Sequence, residues 1–196
     1  MNIPPLVIIQ ARMNSARLPG KMLLKLHGET LIARAVRLAG EAFGAEHVVV
    51  AIPFGDAQAS CPLYEELRHI GATIHAVPRC AESDVLGRFH AIAHGLRWHP
   101  DSVIVRWTPD DPFKVPAACQ RVARGERLPV EVGAEAFTLA MLDRAHEDAP
   151  RGSSGWEHIT HALFPTAPSP YIGPKQMTVD TPEDWARVLA ENPEPA

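Results

Sequence analysis

Arg12, Arg17 and Lys21 fall within ten residues of one another, just after an apolar run, residues 6–9, breaks off. Asn14, Ser15, Ala16, Pro19 and Gly20, all small or turn-forming, separate the cations. Three positive charges on one short loop repel each other unless an anion sits among them. Arginine offers a planar fork to phosphate and lysine a mobile point charge. Small residues let backbone N–H groups approach phosphate oxygens. The pattern therefore suits a polyphosphate cradle. A solvated basic turn is the plain alternative, and the local sequence leaves both open.

Two acidic stretches stand far from that loop. In Arg106-Trp107-Thr108-Pro109-Asp110-Asp111-Pro112, two adjacent carboxylates lie between prolines. Carboxylates of this kind suit a hard cation such as Mg²⁺, which takes one or two of them plus substrate phosphates. A surface Asx-Pro turn reads equally from the same residues. In Val179-Asp180-Thr181-Pro182-Glu183-Asp184, the composition is that of a helix start. Asp or Thr can cap, proline suits the first helical position, and acidic residues suit the dipole. Asp180 can instead point into a site as a metal ligand.

The elements that must position these residues follow from periodicity. Residues 5–11 read as a buried strand, and the basic loop leaves its carboxyl end. In an α/β chain that edge is where ligands bind. Ile32, Val36, Ala39 and Phe43 share one face of a helix, and Gly44 stops it. Residues 47–52 read as a second strand, 62–70 as a helix opened by Pro62 and stopped by Gly71, and 73–77 as a third strand. Ser83 and Asp84 offer N-caps to a helix with Val85, Phe89, Ile92 and Leu96 on one face. Residues 102–107 form a fourth strand, which brings Asp110 to the same sheet edge as the basic loop. Beyond it the pattern predicts a short helix from Pro116, a short strand at 130–132, helices at 138–147 and 156–164, a strand at 171–179 and a closing helix at 182–191. Alternating strands and helices at this spacing mean a mostly parallel sheet with right-handed crossovers. No linker or repeat divides the chain, so residues 1–196 read as a single domain.

The basic loop, with its Ile8-Ile9-Gln10-Ala11-Arg12-Met13 and Ser15-x-Arg17-Leu18-Pro19-Gly20-Lys21, resembles the signature of bacterial sugar cytidylyltransferases. The version here is similar to the spore coat polysaccharide protein F group, related to 3-deoxy-manno-octulosonate and sialic acid cytidylyltransferases. Asn14 stands where that group usually has glycine, and Ala16 where it usually has threonine. Thr108-x-Asp110 resembles the family's T-x-D motif, and residues 179–184 its closing V/I-D-T-P-E-D. Asp111 stands where that group often has cysteine, and Trp107 replaces an aliphatic residue. Glu82-Ser83-Asp84-Val85-Leu86-Gly87-Arg88-Phe89 is close to E-x-D-V-L-G-R-F, and Glu157-His158-Ile159-Thr160 to E-H-V-T. The resemblance thins between Val115 and Thr138, where this chain is shorter.

The resemblance implies a three-layer Rossmann-like nucleotide-diphospho-sugar transferase fold and transfer of CMP from CTP to a sugar or acidic sugar. It implies nucleotide contacts at Ala11, Arg12, Asn14, Ser15, Arg17 and Lys21, with Arg12, Lys21 and Asp110 catalytic. Asp110 and Asp180 would hold Mg²⁺. Asp84 and Arg88 would touch ribose or sugar, with a helix cap and a surface ion pair as their plain alternatives. Glu157 and His158 would serve the acceptor site or a dimer contact, which admits a homodimer. A non-catalytic nucleotide- or sugar-phosphate-binding protein is the rival from another class. A glycosyltransferase on the same fold should carry Asp-x-Asp, which Asp110-Asp111 is not.

The composition agrees with a globular protein of 196 residues that is 46% hydrophobic. A net charge of −4 gives no reason to expect nucleic-acid binding. Cys61, Cys80 and Cys119 are widely spaced, which fits a reducing cytoplasm rather than a zinc knuckle or disulfide scaffold. No stretch approaches the roughly 20 apolar residues of a membrane span.

Overall fold

A computed structural model of the chain describes residues 4–78, 83–130, 132–149, 163–164 and 177–193. Strand β1 (Leu6–Gln10) is followed by the basic loop, which closes through a 3₁₀ turn at Lys21–Leu23. A small hairpin comes next, β2 (Lys25–Leu26) and β3 (Glu29–Thr30), joined by His27 and Gly28 at φ 52° and 75°. Two positive φ values in a two-residue connection are those of a type I′ turn. Thr30 then caps α1 (Leu31–Phe43), its side chain accepting from the Ala33 N–H.

The chain continues as β4 (Val48–Pro53), α2 (Pro62–His69), β5 (Ile74–Val77), α3 (Val85–Gly95) and β6 (Val103–Trp107). After α4 (Pro116–Ala123) come β7 (Glu135–Thr138), α5 (Leu139–Asp148) and α6 (Pro182–Glu191). The sheet order is β5-β4-β1-β6-β7, parallel throughout except for β7, which runs antiparallel to β6. From β1 the chain first builds outward through β4 and β5, then returns to place β6 on the other side. The carboxyl ends of β1 and β6 thus flank the point where strand order reverses, the preferred crevice of such sheets.

Alternation along the strands divides the core. Leu6, Ile8, Val49, Ala51, Ile104 and Phe137 meet α3 and α5 on one face. Val7, Ile9, Val48, Val50, Ile52, Val105 and Trp107 meet α1, α2 and α4 on the other. Both faces are covered, giving three layers. A third cluster joins Leu26 and Leu31 to Met177, Val179 and Val188, which docks α6 and the segment before it beside the hairpin.

Several expectations need correction. Val130 and Val132 lie in turns rather than in a strand, residue 131 lies outside the described residues, and the strand falls at Glu135–Thr138. Residues 177–180 carry no strand either, and 171–176 lie outside the described residues. The helix expected at 156–164 lies outside them too, apart from Leu163 and Phe164. On α1 the buried stripe runs through Ile32, Ala35, Ala39 and Ala42, leaving Val36 and Phe43 half-buried. Leu96 ends α3 as an exposed C-cap.

Candidate active site

The basic loop folds back on itself. The Met13 carbonyl accepts from the Ser15 and Gly20 N–H groups at 3.1 and 2.9 Å, and the Met13 N–H donates to Asp56 at 3.0 Å. Gly20 has φ 73°, a left-handed conformation that glycine adopts without strain. This closure aims Lys21 inward, and its side chain is only 10% exposed.

The Lys21 ammonium donates to Asp110 Oδ2 at 2.9 Å, Asp180 Oδ1 at 3.0 Å and the Val179 carbonyl at 3.0 Å. All three of its N–H bonds are thereby used. Arg17 reaches the other oxygen of Asp180 at 2.9 Å. Burial works against the charge on Lys21, but the carboxylates of Asp110 and Asp180 outweigh it and hold its pKa above the ordinary lysine value. The anions among the cations are the protein's own. The two distant acidic stretches do meet the basic loop, and they meet on one atom.

Backbone structure brings them there. Asp110 lies just past β6, and its carbonyl accepts from the Val179 N–H at 2.8 Å. Thr181, not Asp180, is the N-cap of α6, and with Asp184 it forms a capping box. Asp184 also accepts from the Asp180 N–H at 3.2 Å. With capping left to its neighbours, the Asp180 side chain is available to Lys21 and Arg17.

These groups open onto a cleft of about 600 Å³, lined among others by Ala11, Arg12, Ser15, Arg17, Lys21, Arg88, Asp110 and Asp180. Ser15 is buried and Arg12 half-buried at its edge. The Ala11 N–H is engaged by the Ala51 carbonyl at 3.0 Å, so that N–H extends the sheet rather than facing a ligand. Asn14 is exposed and does not line the cleft. Asp84 also stays outside: it caps α3 by accepting from the Gly87 N–H at 2.7 Å. Arg88 lines the cleft and is 3% exposed, which corrects the alternative of a surface ion pair. Glu157 and His158 lie outside the described residues.

The cleft floor holds residues that sequence reasoning missed. Arg106 pairs with buried Glu135 on β7 and donates to Gln10 Oε1 at 3.2 Å. Asp111 is buried and accepts from Thr108, from Lys114 Nζ at 3.0 Å and from Thr178 Oγ1 at 2.6 Å. Burial alone would raise the Asp111 pKa, but Lys114 and the two hydroxyls hold it below the usual carboxylate value. Lys114 is equally buried and also bonds the carbonyls of Val130 and Gly133, with its ammonium 6.0 Å from the buried Trp107 ring. Asp111 is thus a structural anchor, not a ligand. The one hint of this in the sequence is a lone lysine inside the otherwise apolar Pro112-Phe113-Lys114-Val115-Pro116.

Two carboxylates already sharing one cation are a fitting donor set for a hard divalent ion, and the arginines beside them suit phosphate. Comparisons with known proteins bear on the family and the fold. Residues 6–125 match the cytidylyltransferase family. That span takes in the basic loop and Asp110, while Asp180 lies outside it. A 3-deoxy-manno-octulosonate cytidylyltransferase of Chromohalobacter salexigens is 34% identical over 136 residues, covering 68% of this chain and 48% of that protein. The chain spans about half the length of the curated relatives it matches. A solved cytidylyltransferase of Leptospira borgpetersenii superposes with TM-score 0.74 at 20% identity, over 94% of this chain and 86% of that one. CMP:2-keto-3-deoxy-manno-octonic acid synthetase complexed with CTP superposes with TM-score 0.70 at 17% identity, over 96% and 98%. These two likenesses establish the nucleotide-diphospho-sugar transferase fold. The loop, the sheet edge and the matched span together lead to one statement of kinship: the chain belongs to the cytidylyltransferase family.

Proposed function

We propose that the protein transfers CMP from CTP to a sugar or acidic sugar, releasing pyrophosphate, in the making of a cell-surface polysaccharide. The observation that carries this reading is the Lys21 ammonium held between Asp110 and Asp180 beside Arg17, at the carboxyl ends of β1 and β6. Family membership supplies the base, since nothing in the cleft geometry distinguishes cytosine. The loop residues 8–21 and the stretch 82–89 favour kinship with the spore coat polysaccharide protein F group. The widely spaced cysteines suit a reducing, cytoplasmic setting.

In this reading an acceptor hydroxyl oxygen attacks the α-phosphorus. The new O–P bond forms as the bond to the bridging oxygen breaks, pyrophosphate leaves with that electron pair, and the hydroxyl proton passes to water. Arg12, Arg17 and Lys21 stabilise the charge that builds on phosphate oxygens, Arg17 and Lys21 once they exchange their own carboxylates for phosphate. Ser15 donates to a phosphate oxygen from the buried side of the loop. Asp110 and Asp180 are the residues that would hold Mg²⁺, which when bound supplies neutralising charge to the triphosphate. Arg88 faces the ribose or sugar from α3.

The test incubates the protein with CTP, Mg²⁺ and a panel of acidic sugars and follows pyrophosphate. Release that requires an acceptor and stops with EDTA is the expected result. One feature favours a second reading: Lys21 is already neutralised by the chain's own carboxylates, as a binding protein without turnover would tolerate. Saturable CTP binding with no pyrophosphate from any acceptor would establish that reading instead.

A further inference from the structure

On the sheet face away from α1, a second group of side chains converges. His90 and His94 stand one turn apart on α3, and Asp143 and His146 stand at i and i+3 on α5. The Nε2 atoms of His90 and His94 both face Asp143 Oδ1, at 3.3 and 2.7 Å. Ligand atoms of these three residues lie within 4.8 Å of one another, the one such group of three His, Cys, Asp or Glu among the described residues. The His90 and His94 rings are 4.3 Å apart, and His146 stacks on His90 at 4.1 Å with planes 12° apart.

A tetrahedral zinc ion with bonds of about 2.1 Å holds its ligands about 3.4 Å apart. One nitrogen-to-oxygen distance lies close to that value and the other falls short of it, so small side-chain rotations suffice. Imidazole nitrogen with one carboxylate is a donor set for a borderline transition ion, whereas Mg²⁺ prefers oxygen throughout. All three residues are partly exposed, which gives an ion a way in. None of them lines the cleft.

We propose that His90, His94 and Asp143 form a Zn²⁺ site that clamps α3 to α5, with a fourth position open to water. Stacked His146 keeps the His90 ring in its orientation. Val85 and Arg88 reach the cleft from the same helix. Zinc therefore fixes the helix that carries them, without touching the proposed chemistry.

The experiment titrates metal-stripped full-length protein with ZnCl₂ in a calorimeter, with Mg²⁺ present in excess. One Zn²⁺ per chain is expected, together with a higher Tm for the zinc-loaded protein. His94→Ala and, separately, Asp143→Asn should each weaken binding by about 10-fold or more, since even partners outside the ligand shell cost that much. Both side chains are at least one-third exposed, so both variants should fold, as circular dichroism will verify. No zinc uptake, or the same affinity in either variant as in the parent, overturns the site.

Discussion

Asp180 points its carboxylate at Lys21 and Arg17, while the residue after it carries the cap of α6. The two duties can be separated by mutation. Asp180→Ala should lower pyrophosphate release on the order of 10²-fold, the cost typical of losing one preorganised polar group, and barely move a urea melt. Thr181→Ala should do the reverse, costing about 1 kcal/mol of stability with little change in rate. Normal turnover by Asp180→Ala, with an unchanged Mg²⁺ requirement, would sink the metal role. Lys21 makes a prediction about pH. Its folded-state pKa is raised above the ordinary value, so its contribution to stability is fully present below about pH 10 and is lost as pH climbs through the folded value. Thermal melts from pH 7 to 11 should show a late fall that Lys21→Met, already destabilised at pH 7, lacks.

Among the elements, α3 depends on a close approach. A Cβ on Gly87 would lie 2.4 Å from Asp84 Oδ2, inside the cap that starts the helix. Gly87→Ala should therefore displace the cap and cost about 1–2 kcal/mol in chemical denaturation, whereas Gly95→Ala, with open space around it, should not. Elements of this first half could be read from the sequence because each signal was local. Runs such as Val-Val-Val-Ala-Ile leave no doubt of a buried strand, and Asp84 and Pro62 mark helix starts by their own chemistry. Strand β7 escaped because Glu135 opens it. A glutamate reads as solvent-facing, and only the neighbouring Arg106, 29 residues earlier, makes its burial tolerable. Hairpin β2–β3 escaped because two-residue strands carry too few positions to show a period.

Across the whole molecule, Asp111 and Lys114 tie three stretches of chain that are distant in sequence. Through Thr108, Thr178 and the carbonyls of Val130 and Gly133, they join the end of β6, the approach to α6 and the turn before β7. Asp111→Asn leaves Lys114 buried without a counter-charge and should cost about 3–5 kcal/mol, measurable as a lower denaturant midpoint. Because the Asp111 pKa is depressed in the fold, its stabilising effect is present above about pH 4 and is lost as pH falls through the folded value. The parent should then lose stability on acidification in a step that Asp111→Asn does not show. This anchor could not be read ahead of the structure, since a lone lysine ordinarily lies at the surface and its partners come from other segments. The meeting of residues 21 and 110 could be anticipated, because β1 and β6 put their junctions on one edge; Asp180 follows no strand and is brought in by the Val179 N–H bonded to the Asp110 carbonyl.

The cleft arrives with its own counter-ions in place: one ammonium already sits against two carboxylates, and a guanidinium closes the ring. Under the proposed function a triphosphate would not fill a charged vacancy: Asp110 and Asp180 would exchange Lys21 and Arg17 for Mg²⁺, and the two bases would turn to phosphate. Internal pairs released on both sides balance much of the small-ion uptake. Nucleotide affinity should consequently fall less steeply with added KCl than three solvent-facing cations would dictate.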